Sequence, residues 1–232
     1  MNPRRPIRVT ANYCLWRLGV RHVLPNHYVR RVPVRECGEP LVDLAGCSVD
    51  LDGRLGVDLR VRMSVAEALE RANGSLPAGW RLVVVEAFRS RARQQELWER
   101  ARRETVAGHP TAAPAEIDRL TGLVVANPNT GVANGHQTGG AVDLTLADDT
   151  GELWMGTEVQ QFTPVTATRA AVAGDVRHRR AVLVAAMTAA GFVNYPAEWW
   201  HFSLGDQLWA AYRRKRYGRY GEVTHGDGPA GF

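Results

Sequence analysis

Apolar and polar residues alternate with clear periods over about half of this chain, and those periods predict its elements. After Ser64, the residues Val65, Ala68, Leu69 and Ala72 recur at helical spacing, and Gly74 offers a stop. Ser64 with Glu67 three positions on reads as a capping box. Leu82-Val83-Val84-Val85 is a short apolar run of the buried-strand type. It leads through Phe88-Arg89 to Ser90, which reads as the N-cap of a polar helix extending to about Val106. Ala141–Leu146 alternates apolar residues with Asp143 and Thr145, so a strand with one polar face is predicted. A helix is expected from about Val176 to Ala190, with Asp175 as its cap and Gly191 as its stop. Phe192–Tyr195 and Trp199–Leu204 read as a strand pair bent at Pro196, and Leu208–Arg214 as a terminal helix.

The intervening stretches are punctuated differently. Within residues 1 to 60, Pro25, Pro33 and Pro40 interrupt short apolar pieces, leaving room for strands near Arg31–Val34 and Leu59–Met63. Residues 107–135 and 148–175 read as long loops, the first with a helical turn near Ala115–Leu120; loops of this length often carry function. Strands and helices mix without strict alternation, which favours an α+β single domain over a doubly wound one. The predicted organisation is an N-terminal arm over residues 1–30, a catalytic domain over 31–221 and a loose tail over 222–232.

Composition narrows the classes. The chain has 232 residues, is 45% apolar and carries a net charge of +5, so a real core is expected. The basic excess is scattered arginine, with Lys215 the only lysine, and the run Arg213-Arg214-Lys215-Arg216 reads as a solvated helix end rather than a nucleic-acid patch. No apolar stretch approaches the roughly 20 residues of a membrane helix. Cys14, Cys37 and Cys47 show neither zinc-ribbon nor redox spacing, and reduced thiols in a cytoplasmic protein are expected. No nucleic-acid or membrane partner is expected, and the oligomeric state is left open.

The candidate chemistry lies in two segments. Asn134-Gly135-His136-Gln137-Thr138-Gly139-Gly140-Ala141-Val142-Asp143 offers an imidazole and a carboxylate, with glycines that let the backbone fold one towards the other. Glu198-Trp199-Trp200-His201 offers a carboxylate three residues before a second imidazole. Two His and one Asp make three metal ligands and leave a fourth position for water, with a free carboxylate beside it, as a hydrolytic zinc site requires. Each part alone also has a plain structural reading. His136 can be an exposed loop residue, Glu198 a surface acid, His201 a packed ring beside two core Trp residues, and Arg89 one exposed arginine among many. A spacing of three on a strand sends Glu198 and His201 to opposite faces, so their joint use demands a bulge or turn after Pro196.

The segments His136-x-x-Gly139-x-Ala141-x-Asp143 and Glu198-x-Trp200-His201 resemble those of the zinc D-alanyl-D-alanine dipeptidases, the group that includes the vancomycin-resistance dipeptidase. Glu86–Arg89, Met155-Gly156-Thr157 and Gly191–Tyr195 are also similar, and the resemblance spans roughly residues 31–221. It implies a zinc D,D-peptidase-like fold with a central antiparallel sheet flanked by helices. It implies one zinc ion per chain held by His136, Asp143 and His201, with Glu198 as catalytic base and Arg89 stabilising the carbonyl oxygen. The implied activity is cytoplasmic cleavage of D-Ala-D-Ala, a small peptide of cell-wall metabolism. The chain departs from the pattern at Asn134, where the family usually has Ser. It departs again at Trp154, where an acid is usual, and a second acid often found a few residues on is replaced by Gln160 or its neighbours; acids near that loop would suit a free ammonium. Asn134, Trp154 and Trp200 are therefore the expected substrate walls. A blocked or larger substrate, as for a carboxypeptidase or a peptide-antibiotic hydrolase, is the enzyme alternative. A non-catalytic zinc-binding module is disfavoured by the joint presence of base, ligands and arginine.

Overall fold

The computed structural model describes residues 23–53, 57–130 and 134–224. The helices are α1 (Asn26–Val29), α2 (Met63–Gly74), α3 (Arg91–Gly108), α4 (Pro114–Thr121), α5 (Gly174–Ala189) and α6 (Gln207–Tyr212). The strands are β1 (Leu41–Asp43), β2 (Asp50–Leu51), β3 (Arg60–Arg62), β4 (Arg81–Glu86), β5 (Ala141–Asp148), β6 (Gly151–Glu152), β7 (Val193–Asn194) and β8 (His201–Ser203). The main sheet runs β2-β4-β5-β8-β7, with β6 on the end of β5; β1 and β3 form a separate pair. Its pairings are antiparallel apart from the edge strand β2, which lies parallel to β4. The expected α+β architecture is present.

The two faces of β5 do different jobs. Val142, Leu144 and Leu146 join Leu82 and Val84 of β4, Phe202 of β8, Val65 and Leu69 of α2 and Leu183 and Met187 of α5 in one buried core. The alternate positions, Asp143 and Thr145, face the other way. Both faces are buried, so the polar face expected for this strand meets protein rather than solvent. Instead, Asp143 is covered by the chemistry described below.

Several boundary expectations are corrected. Arg31–Val34 forms no strand; Val34 makes one isolated bridge to Gly218. Ser64 does not cap α2, which begins at Met63 behind Arg62 and has no cap from its own sequence neighbours. The Ser64 N–H goes to the carboxylate of Glu39, a cap supplied from far along the chain. That carboxylate also accepts from Tyr220 Oη at 2.9 Å. Asp175 lies inside the first turn of α5, two places past the N-cap, Ala173, and pairs with Arg179 at 3.4 Å. Ser90, by contrast, caps α3 as expected, accepting from the Arg93 N–H. Of the expected arm, residues 1–22 lie outside the described residues, as do Cys14 and, in the expected tail, residues 225–232. The arm's later part is docked: Leu24 and Val29 pack with Ala210, Ala211 and Tyr212 of α6.

Candidate functional site

Strand register assembles the centre of the site. Asp143 stands opposite Glu86 of β4 and opposite His201 of β8. Directly opposed residues share a face, so three side chains from three strands meet in a row. Glu86 reaches that face only because β4 slips register between Val84 and Glu86. Leu82 and Val84 point into the core, and a regular strand would send Glu86 with them. One extra residue, a β-bulge, re-aims it.

His136 enters from a 3-10 turn, His136–Thr138, just ahead of β5. Gly139 closes that turn with φ +69°, and a side chain at Gly140 would collide with the Leu204 carbonyl. Glu198 and His201 sit on consecutive turns, Glu198 N–H donating to Tyr195 O at 3.0 Å and His201 N–H to Glu198 O at 3.3 Å. This supplies the turn that the spacing demanded. The Asn194 side chain braces it, donating to the carbonyls of Glu198 and His201, each at 3.1 Å.

His136, Asp143 and His201 offer ligand atoms that all lie within 4.8 Å of one another. His201 Nδ1 is 2.9 Å and His136 Nε2 is 3.4 Å from Asp143 Oδ1. A tetrahedron with bonds of 2.0–2.1 Å has edges of about 3.3 Å, so the donor set and its spacing fit zinc. His136 Nδ1 lies 2.8 Å from the Ala87 carbonyl, which assigns the proton to that nitrogen and leaves the Nε2 lone pair to the site. Burial alone would raise the Asp143 carboxyl; the two imidazoles beside it, His136 and His201, outweigh that and hold it well below the usual range.

Arg89 is held on three sides. Nε donates to Glu86 Oε1 at 2.8 Å, Nη2 to Glu86 Oε2, and Nη1 to Gln94 Oε1 at 2.8 Å. A guanidinium has five N–H bonds, so two remain. Burial works against the charge on Arg89, and the Glu86 contact outweighs it. Glu198 feels burial first, which raises its pKa; the Asp143 charge adds to that, while His201, His136 and Arg89 pull the other way. Tyr195 is pushed up to about 12 by burial and the Glu198 charge, so its hydroxyl keeps its proton.

Arg89, Asn134, His136, Asp143, Glu198, Trp200 and His201 all line one cavity of about 380 Å³. Asn134 Nδ2 donates to Gln94 Oε1 at 2.7 Å, so it is fixed in the wall. Of the two tryptophans, Trp199 is locked inward by a 2.8 Å bond from Nε1 to Thr157 Oγ1. Trp200 walls the cavity, with its Nε1–H unpartnered among the described residues. Trp154 is a correction: it is 52% exposed and is not among the lining residues. Its neighbours Leu153 and Met155 are buried, so extended backbone turns Trp154 outward. Gln160, six residues on, reaches the site instead, its Nε2 donating to Asp143 Oδ2 at 3.0 Å and to Glu86.

Sequence reasoning did not assign roles to Glu86, Gln94, Asn194 or Arg180. Arg180 is buried and donates to three carbonyls, Met155 at 2.8 Å, Ala167 at 2.8 Å and Val165 at 3.0 Å, while lying over the Trp199 ring. It ties down the loop that carries Gln160. The signal available was an arginine on the otherwise apolar face of a predicted helix, Val176–Leu183–Met187.

Two imidazoles and a carboxylate converging on one point of an α+β sheet, with a carboxylate and an arginine in the same cavity, define a zinc metallopeptidase. Residues 58–219 match the family model described as D-ala-D-ala dipeptidase, and the chain belongs to that family. It is 28% identical over 232 aligned residues to a D-alanyl-D-alanine dipeptidase of Synechocystis, covering 84% of this chain and 93% of the relative. It is 30% identical over 129 residues to the D-alanyl-D-alanine dipeptidase of Escherichia coli K12, covering 55% and 56%. Among solved structures, it is similar to the vancomycin resistance D,D-pentapeptidase VanY from the VanB-type cassette in complex with Zn(II). There the TM-score is 0.46 at 18% identity, over 81% of this chain and 90% of that one.

Proposed function

We propose that this chain hydrolyses the peptide bond of D-Ala-D-Ala or a closely related dipeptide, using one zinc ion held by His136, Asp143 and His201. The observation that carries this reading is the convergence of three ligand groups, Glu198 and Arg89 in one cavity. The family and its curated dipeptidase members support the substrate class.

Zinc, when bound, acidifies water to a pKa of about 7 and polarises the scissile carbonyl. Glu198 is the general base: it takes the proton of the attacking water and returns it to the leaving amine. Burial raises its proton affinity, which suits a group that must hold a proton for part of the cycle. Arg89 offers its two uncommitted N–H groups to the carbonyl oxygen as negative charge develops there. Glu86 and Gln94 keep that guanidinium from turning away. Trp200 and Phe162, with ring centroids 5.7 Å apart, shield the reacting centre from bulk water. The substrate gives the enzyme a place in cell-wall metabolism, in the cytoplasm.

The test is Glu198→Ala in zinc-loaded protein, following D-Ala release and bound zinc together. Turnover is expected to fall by about 10³-fold or more with one zinc per chain retained. Near-normal turnover would remove Glu198 from the mechanism.

A further inference from the structure

Gln160 holds a backbone φ of +64°, a left-handed conformation that residues other than glycine rarely adopt. Strain of this kind persists where the surroundings fix it, and here the side chain is fixed by two carboxylates, Asp143 and Glu86. Both partners are acceptors, so the amide nitrogen faces them and Oε1 faces away. Among the described residues no donor reaches Oε1. The wall at this point therefore presents a neutral acceptor.

The rest of the cavity offers little to a free ammonium. Its carboxylates, among the described lining residues, are Asp143, Glu198 and Asp206. Asp143 lies between the two imidazoles. Asp206 caps α6 through Oδ1, at 2.8 Å from the Trp209 N–H, and its Oδ2 is buried out of reach. Glu198 must stay open to take a proton. An ammonium drawn into this space would lose its hydration without gaining an uncommitted counter-charge. Leu97, Leu123 and Val124 also line the cavity, and the charged lining residues outside the site, Arg30 and Arg100, are cations rather than acids. Leu123 and Val124 are exposed apolar side chains on its rim, 65% and 41% accessible. At about 380 Å³ it is in the range that accepts drug-sized ligands.

We infer that this site takes a peptide whose amino end is acylated, with Gln160 as the specificity-determining residue. Gln160 Oε1 accepts the N–H of the substrate's upstream amide, and the acyl group runs into the apolar lobe at Leu97, Leu123 and Val124. The inference rests on the zinc-peptidase reading above and specifies its substrate.

The experiment compares D-Ala-D-Ala with N-acetyl-D-Ala-D-Ala on the zinc-loaded full chain. The acetylated peptide is expected to have the higher kcat/KM by roughly tenfold, the worth of one hydrogen bond plus relief of a buried ammonium. In Gln160→Gly, which suits the left-handed backbone, the ratio falls towards unity; a merely structural role would lower both substrates alike. Calorimetry on zinc-loaded Glu198→Ala protein, which holds peptide without cutting it, gives the same preference in affinity. A preference for the free dipeptide, or a ratio unmoved in Gln160→Gly, overturns the inference. Turnover of neither peptide counts against the hydrolase reading alone, and the affinity ratio still decides this one.

Discussion

The two halves of the site are built by different means. Glu86, Asp143 and His201 stand in a row because three strands are in register, and the sheet's ladder of backbone hydrogen bonds fixes their spacing. Another wall belongs to the loop between β6 and α5, which brings Gln160 and Phe162 to the cavity and is tied down by one buried side chain, Arg180, gripping the carbonyls of Met155, Val165 and Ala167. On the proposed reading, the strand half carries the reaction's geometry and tolerates little variation without loss of the sheet. On the same reading the loop half selects the substrate, and can be re-cut without disturbing the proposed ligands.

Arg180→Met separates the halves most sharply. It removes a cation whose hydrogen-bond partners are all carbonyls and leaves the Met155 and Val165 oxygens without a donor among the described residues, while Ala167 O keeps the Ala170 N–H at 2.9 Å. Losses of 1–3 kcal/mol are usual for each such group, and with partial relaxation about 3–5 kcal/mol in total is expected. For a chain of this size that is a melting point lower by about 10 °C. At temperatures where the variant is folded, zinc stoichiometry should stay at one while kcat/KM falls. Loss of zinc in step with activity would show that the loop also holds the ligands and would erase the distinction.

Gln94→Ala probes the support behind the strand half. Gln94 is fully buried on α3, receives Arg89 and Asn134 on Oε1, and donates from Nε2 to the Ala126 carbonyl at 2.6 Å. Without it, Arg89 keeps its Glu86 partner but loses one of its two restraints. A fall in kcat of about 10–100-fold with KM little changed is expected, because the lost interaction matters once charge develops on the carbonyl. An unchanged kcat with raised KM would move Arg89 from oxyanion stabilisation to substrate binding.

The strand half was also the more legible in sequence. Leu82–Val85 and Ala141–Leu146 announce β4 and β5 by composition and period, and the motifs at His136, Asp143, Glu198 and His201 mark residues that do converge. What escaped was set by events with no local pattern. The bulge after Val84 turns Glu86 from core to site, and nothing in Val84-Val85-Glu86 signals an extra residue. The cap of α2 comes from Glu39, so the plausible local cap at Ser64 was misleading. On the loop side, Leu153-Trp154-Met155 alternates in and out, and Gly156 then turns the chain at φ +94°. No local pattern marks Gln160, rather than Trp154, as the residue that ends up against Asp143 and Glu86.

Trp154→Ala gives the smallest expected effect and is the most direct check of that last point. The side chain is half exposed, and what the loop uses at this position is the backbone carbonyl, which accepts from Arg179 at 2.8 Å and survives the substitution. Stability should change by less than about 0.5 kcal/mol, as for ordinary surface positions. The kcat/KM for either peptide should stay within about twofold of the parent, well under the 1.4 kcal/mol that a tenfold change represents. Set beside Gln160→Gly, six residues along the same loop, this isolates direction from proximity in sequence. A tenfold fall for Trp154→Ala would mean that the loop rotates to bring the indole over the substrate, and the loop half would then be a moving wall rather than one pinned by Arg180.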